Sequence, residues 1–76
     1  MKKQLEYSID GELHTAEMSN NDGFWQYKII KGSTPQSAGY GGNYKSFDEF
    51  EKHIIKETTY SYRFMKHGYK VAKEAL

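Results

Sequence analysis

A chain of 76 residues has room for one hydrophobic core and no second domain. It contains no cysteine, which excludes a disulfide framework, a cysteine-ligated zinc site and a thiol nucleophile. The formal net charge is only +1, and no apolar run approaches the ~20 residues of a membrane-spanning helix.

The first predicted element is a strand: Leu5, Tyr7 and Ile9 alternate with Gln4, Glu6 and Ser8 at period two. Asp10-Gly11 follows, a dipeptide suited to a hairpin turn that needs positive φ at both central positions. The next run, residues 12–18, is predicted as a second strand, with Leu13 out of phase with Ala16 and Met18, so a bulge or a shifted face is expected. A second turn is predicted over residues 20–23, and a third strand over residues 24–31. The third run is the most apolar of the three, with Trp25, Tyr27 and Ile29 on one face and Phe24, Gln26, Lys28 and Ile30 on the other. It is predicted to lie centrally in the sheet.

Residues 32–44 are rich in Gly and Ser and hold the single proline, Pro35, and are predicted as a flexible loop. Their Gly39-Tyr40-Gly41-Gly42 stretch lacks the Gly-Lys-Ser/Thr and the direct entry into a helix that a phosphate-binding loop requires. A helix is predicted to open at Ser46, where Ser46-Phe47-Asp48-Glu49 has the form of a capping box. Phe47, Phe50, Ile54 and Ile55 follow at helical spacing, and Thr58-Thr59 are predicted to end the helix. Tyr60, Tyr62 and Phe64 then alternate with Ser61, Arg63 and Met65, which predicts a fourth strand. The same residues also fit a helical stripe continuing from Ile54. A turn is expected at His67-Gly68 and a short terminal helix over 69–76. The expected fold is therefore α+β: a three- or four-stranded antiparallel β-sheet with one main α-helix packed on one face and a short C-terminal helix, all in one domain.

Apolar residues make up 37% of the chain, and rings supply much of that: seven Tyr, four Phe and one Trp. A core built largely of rings is therefore expected. Charge is unevenly spread. Residues 1–27 carry two lysines against five carboxylates, a net of −3, while residues 28–76 carry eight lysines and Arg63 against five carboxylates, a net of +4. The histidines, His14, His53 and His67, are not spaced as metal ligands and are expected at the surface. No pairing of a nucleophile with a base is recognisable, so no enzymatic activity, cofactor or metal is expected. The lack of cysteine and of a leader-like apolar segment points to a cytoplasmic protein.

The strand Phe24-Trp25-Gln26-Tyr27-Lys28 and the helix opening Tyr44-Lys45-Ser46-Phe47-Asp48-Glu49-Phe50 together resemble, over residues 24–57, the three-stranded-sheet-plus-helix DNA-binding modules at the front of phage-type integrases. The basic strand residues of that family are thin here and the loop lacks its Arg and Lys, so membership is not assigned. A small, Tyr- and Lys-rich chain suits a bacterial or phage accessory protein. The leading functional expectation is a protein-interaction or regulatory module, with a homodimer as one form. Its alternative is a nucleic-acid-binding protein that uses the basic, Tyr-rich C-terminal half, against which stands a pI of only about 7.9. The candidate interaction residues are Phe24, Ile30, Tyr40, Tyr44, Tyr60, Tyr62, Arg63, Lys66, Tyr69 and Lys70.

Overall fold

The computed structural model describes residues 1–34, 39–41 and 44–75, with side chains for all of these except 39–41 and 69–75. Its elements are strands β1 (Lys2–Ile9), β2 (Glu12–Asn21), β3 (Phe24–Lys31) and β4 (Gly39–Gly41), followed by helix α1 (Phe47–Ala75). The strands form one antiparallel sheet in the order β1-β2-β3-β4. The fold is α+β: three long antiparallel strands, a three-residue fourth, and one helix.

Both long hairpins close on Asp-Gly. Asp10 and Gly11 have φ of 49° and 87°, and Asp22 and Gly23 have 53° and 82°. These are the paired positive φ values of a type I′ turn, whose twist matches that of the flanking strands. The Asn20 side chain accepts a hydrogen bond from the Gly23 N–H at 3.0 Å and steadies the second turn.

The expected irregularity is present, but on the neighbouring strand. Thr15 pairs with Lys31 and Ala16 with Ile29, so Ile30 is the extra residue, a bulge on β3. Leu13 is simply outward-facing and exposed. Past the bulge, Gly32 (φ 127°) passes so close to His14 that a Cβ there would overlap the imidazole ring. His14 is fully buried, which corrects the expectation of a surface histidine.

Ser46 caps α1 as expected. Its hydroxyl accepts the Glu49 N–H at 3.3 Å, while the Glu49 carboxylate reaches back to the N–H of Lys45 at 2.9 Å, one residue earlier than a standard capping box. The helix does not stop at Thr58-Thr59. It runs unbroken to Ala75, so the predicted fourth strand over 60–64, the turn at His67-Gly68 and a separate terminal helix are all replaced by one 29-residue helix. The reason is tertiary. Thr58 donates to the Ile54 carbonyl at 2.7 Å and accepts from the Tyr7 hydroxyl at 2.8 Å, so its side chain is satisfied inside the helix. The predicted 32–44 loop likewise contains β4, whose backbone pairs with Trp25, Gln26 and Tyr27; residues 35–38 and 42–43 lie outside the described residues.

The core brings Ala16 and Met18 of β2 and Trp25, Tyr27 and Ile29 of β3 together with Phe50 and Ile54 of α1. Trp25 lies 5.0 Å from the Phe47 ring and 5.2 Å from that of Phe50. Because Phe50 is fully buried at the centre of these rings, Phe50→Ala should cost about 3–5 kcal/mol. That is as much as a core of this size is expected to supply. The variant should lack a cooperative thermal transition by circular dichroism, and a wild-type midpoint would remove Phe50 from the core.

Gly32→Ala should also destabilise, through the left-handed φ and through the contact with His14. Only the second part should vanish in a His14→Ala background. A double-mutant cycle in urea should therefore show the pair to be less than additive, and strict additivity would separate the two residues.

Candidate interaction surface

The described side chains of α1 divide into two faces. Phe50, Ile54, Thr58 and Tyr62 recur every four residues and are buried. Tyr60 and Phe64, also four apart and so on one face, are 72% and 70% exposed. Their rings stack on each other with centroids 6.3 Å apart and planes 17° from parallel. Around them lie His53, Lys56, Glu57 and Arg63, and together these line an open groove. All of its lining comes from the one helix, so it is an open, ridged surface.

The candidate residues identified from sequence do not converge on one patch. Tyr60 is the ring that stands clear. Tyr62 turns inward, 6% exposed, with its ring edge-on to His14 at 5.5 Å. Tyr44 is half-buried among Trp25, Phe50 and His53. Arg63 lies beside the exposed rings but is engaged by Asp10 through two hydrogen bonds of 3.2 and 3.0 Å. The Lys66 ammonium sits 5.3 Å from the centre of the Tyr62 ring. Phe24 and Ile30 are half-exposed on β3, six positions apart. The side chains of Tyr40, Tyr69 and Lys70 lie outside the described residues. Phe64 was missing from the candidate set. Its i,i+4 spacing to Tyr60 was available in the sequence, but in a strand reading the two rings are merely alternate residues.

A second cluster of polar groups joins the buried His14 to the more exposed Glu12 and Ser33. The His14 ring is stacked on Tyr7 at 5.6 Å, and its Nδ1 bonds the Glu12 carbonyl at 3.0 Å. A carbonyl only accepts, so Nδ1 carries a proton. Nε2 points toward Glu12 Oε2 at 3.4 Å without a hydrogen bond. The same Oε2 accepts the Ser33 N–H at 2.9 Å and the Ser33 hydroxyl at 2.6 Å, which hold the Glu12 carboxyl below its usual range. The order is hydroxyl, carboxylate, imidazole. A nucleophile–base arrangement would need the imidazole next to the hydroxyl, so this cluster is built as a clamp between β2 and the start of the following segment.

Two tyrosines are pushed toward more basic pKa values. Burial raises Tyr7, against the opposing hydrogen bond with Thr58. Burial and the nearby Glu57 carboxylate push Tyr27 up to about 12. Both hydroxyls therefore stay protonated at neutral pH and act as donors, Tyr27 to Glu57 at 3.4 Å. Among the described residues, no cluster of three or more His, Asp or Glu side chains is placed to hold a metal ion, and no helix is long and apolar enough to cross a membrane. Comparison with family models, with curated proteins and with solved structures returns no match.

The Arg63 pair holds the Asp10 carboxyl below its usual value of 3.8, as the Ser33 bonds hold Glu12 below 4.5. Carboxyls depressed in the folded state contribute stability above their unfolded pKa values, and that contribution is lost as pH falls through the folded ones. An Asp10→Asn, Glu12→Gln variant should therefore be less stable than wild type at neutral pH. The gap in urea midpoint should close progressively below about pH 4, and a gap independent of pH would show that neither carboxylate is held this way in solution.

Proposed function

We propose that this protein is a non-enzymatic interaction module that docks a macromolecular partner, most simply a protein, through the Tyr60–Phe64 face of α1. In this reading the sheet is a platform: it holds the buried stripe of the helix and presents the opposite side. The observation that carries the reading is the pair of stacked rings, each more than two-thirds exposed, on a helix whose other described Phe and Tyr rings, Phe47, Phe50 and Tyr62, are buried or half-buried. Large rings are enriched at the centres of protein interfaces. Scattered exposed apolar residues such as Phe24 and Ile30 are ordinary surface, whereas two adjacent rings form a contiguous patch. The lack of cysteine favours a reducing compartment as the setting.

Nucleic-acid binding is the second reading. Lys52, Lys56 and Arg63 fall along one line of the helix beside the exposed rings, an arrangement in which cations take phosphates and rings stack on bases. Weighing against it, Arg63 is already engaged by Asp10.

The two readings separate in one experiment. Tagged wild-type protein and a Tyr60→Ser, Phe64→Ser variant are used for affinity capture from the native host, read by mass spectrometry and by nucleic-acid sequencing. The variant should fold normally, because exposed substitutions usually move stability by less than about 0.5 kcal/mol. A protein captured by wild type should be lost, since truncating a central ring typically costs about 2 kcal/mol or more of binding. Equal capture by both forms would overturn the reading. Recovered nucleic acid released steeply by salt would transfer it to the basic line.

A further inference from the structure

We infer that the occupant of the Tyr60–Phe64 face is a second copy of this chain, paired helix to helix in antiparallel register about a two-fold axis level with Tyr62. This rests on the reading of that face as a docking surface and names its partner.

The argument begins with spacing. His53, Glu57, Tyr60, Phe64 and His67 follow one another at intervals of four, three, four and three. That alternation keeps residues on one line facing a partner helix, the pattern of a coiled-coil seam. None of these five belongs to the buried stripe, and two of them, Tyr60 and Phe64, are the exposed rings.

Four of these positions, Glu57, Tyr60, Phe64 and His67, are complementary to themselves when the second helix runs the other way. With the axis level with Tyr62, Tyr60 of each copy faces Phe64 of the other, which satisfies the requirement that a two-fold contact pair i with j and j with i. One turn outward, Glu57 of each copy faces His67 of the other, an acid opposite an imidazole. Parallel pairing would instead set Glu57 against Glu57, which like-charge repulsion disfavours. The flanks also fit. Ser61 and Gly68 are small and exposed on one side of the seam and let the helix axes approach. On the other side, the charge of Arg63 is already offset by Asp10 at 3.0 Å.

Area sets the strength. Four rings, two from each copy, still expose together about 400–700 Å², whereas a specific stable interface buries about 1,200–2,000 Å². The rings form the centre of the contact and the flanks must supply the rest, so the dimer is expected to be weak, with dissociation on the order of micromolar. Pairing along the outer edge of β1 would meet Lys2 and Lys3 on that strand, which blunt edge pairing.

Sedimentation equilibrium of the full chain, from low to high micromolar, tests the proposal. The mass should rise from 8.9 kDa toward twice that value. Tyr60→Ala and Phe64→Ala should each weaken the dimer by about tenfold or more without moving the melting midpoint of the monomer. The register is tested by cysteine cross-linking, which is clean because the chain has no native cysteine. A mixture of Glu57→Cys and His67→Cys proteins should form the mixed disulfide in preference to either self-pair. A mass that stays near 8.9 kDa throughout would overturn the second copy as occupant. Should the Tyr60→Ser, Phe64→Ser variant still lose a captured protein in that case, the docking reading would stand with a different partner. Self-pairing of Glu57→Cys, or a dimer indifferent to Phe64→Ala, would overturn the register.

Discussion

The structure depends on a stripe of four buried side chains, Phe50, Ile54, Thr58 and Tyr62, spaced four apart on α1. Four residues advance a helix by about 400°, so each step overshoots a full turn by about 40°. Over the three steps the buried side winds about a third of the way round the helix axis. A straight helix can keep such a stripe covered only by crossing the strands beneath it. The contacts follow that course: Phe50 meets Trp25 and Tyr27 on β3, Thr58 meets Tyr7 on β1, and Arg63 meets Asp10 in the β1–β2 turn. At the level of Tyr62 the buried side has turned so far that Tyr60 and Phe64 fall roughly opposite it. Their exposure is a consequence of how the helix is anchored, and the exposed ring pair and the core are two sides of one register.

The polar handles on the rings make this crossing affordable. A helix laid over aromatic strands must satisfy every tyrosine hydroxyl it covers. Tyr7 does so through Thr58, whose own hydroxyl is turned back onto the Ile54 carbonyl, and Tyr27 does so through Glu57. Glu57 and Thr58 are adjacent in sequence and straddle the boundary between the covered and open sides of the helix. The cost remains visible at His14 Nε2 and Thr34 Oγ1, which are buried without a hydrogen-bond partner. Both lie in or beside the segment that Gly32 leads past the imidazole, so this polar cluster is where the packing is least forgiving.

Much of the sheet was legible in the sequence because its signals are local. The period-two runs and the two Asp-Gly dipeptides act over a few residues, and Ser46 with Glu49 marks a helix start within one turn. The far end of the helix was not legible, because what decides it is remote. Thr58 and Tyr62 read as strand residues until Tyr7 and His14 are placed beside them, and the bonds to Tyr7 and Asp10 span 51 and 53 residues of chain. The same error dispersed the candidate site. With residues 60–64 taken as a strand, Tyr60 and Tyr62 shared a face and Arg63 opposed them; in a helix, Tyr60 shares a face with Phe64 and Tyr62 turns inward. The burial of His14 had no local signal at all, since it comes from the β3 bulge at Ile30 and the approach of Gly32.

The length of α1 bears on why an exposed ring pair would persist on so small a domain. Arg63 anchors the helix to the β1–β2 turn, and twelve further residues continue to Ala75, a length of about 18 Å. A free helix of that length is marginal in water. Here nucleation has already been met by the anchored half, so the later turns extend a helix already formed. Rings at positions 60 and 64 lie where the anchored half meets those later turns. A partner bound there would contact both halves at once and so couple the helix's extension to the integrity of the core. Any ligand that binds only the folded form stabilises it by mass action, and the effect is proportionally largest in a chain whose own core supplies few kcal/mol. A lysine or glutamate in place of either ring would improve the solubility of the isolated domain and would remove the contact on which that coupling rests.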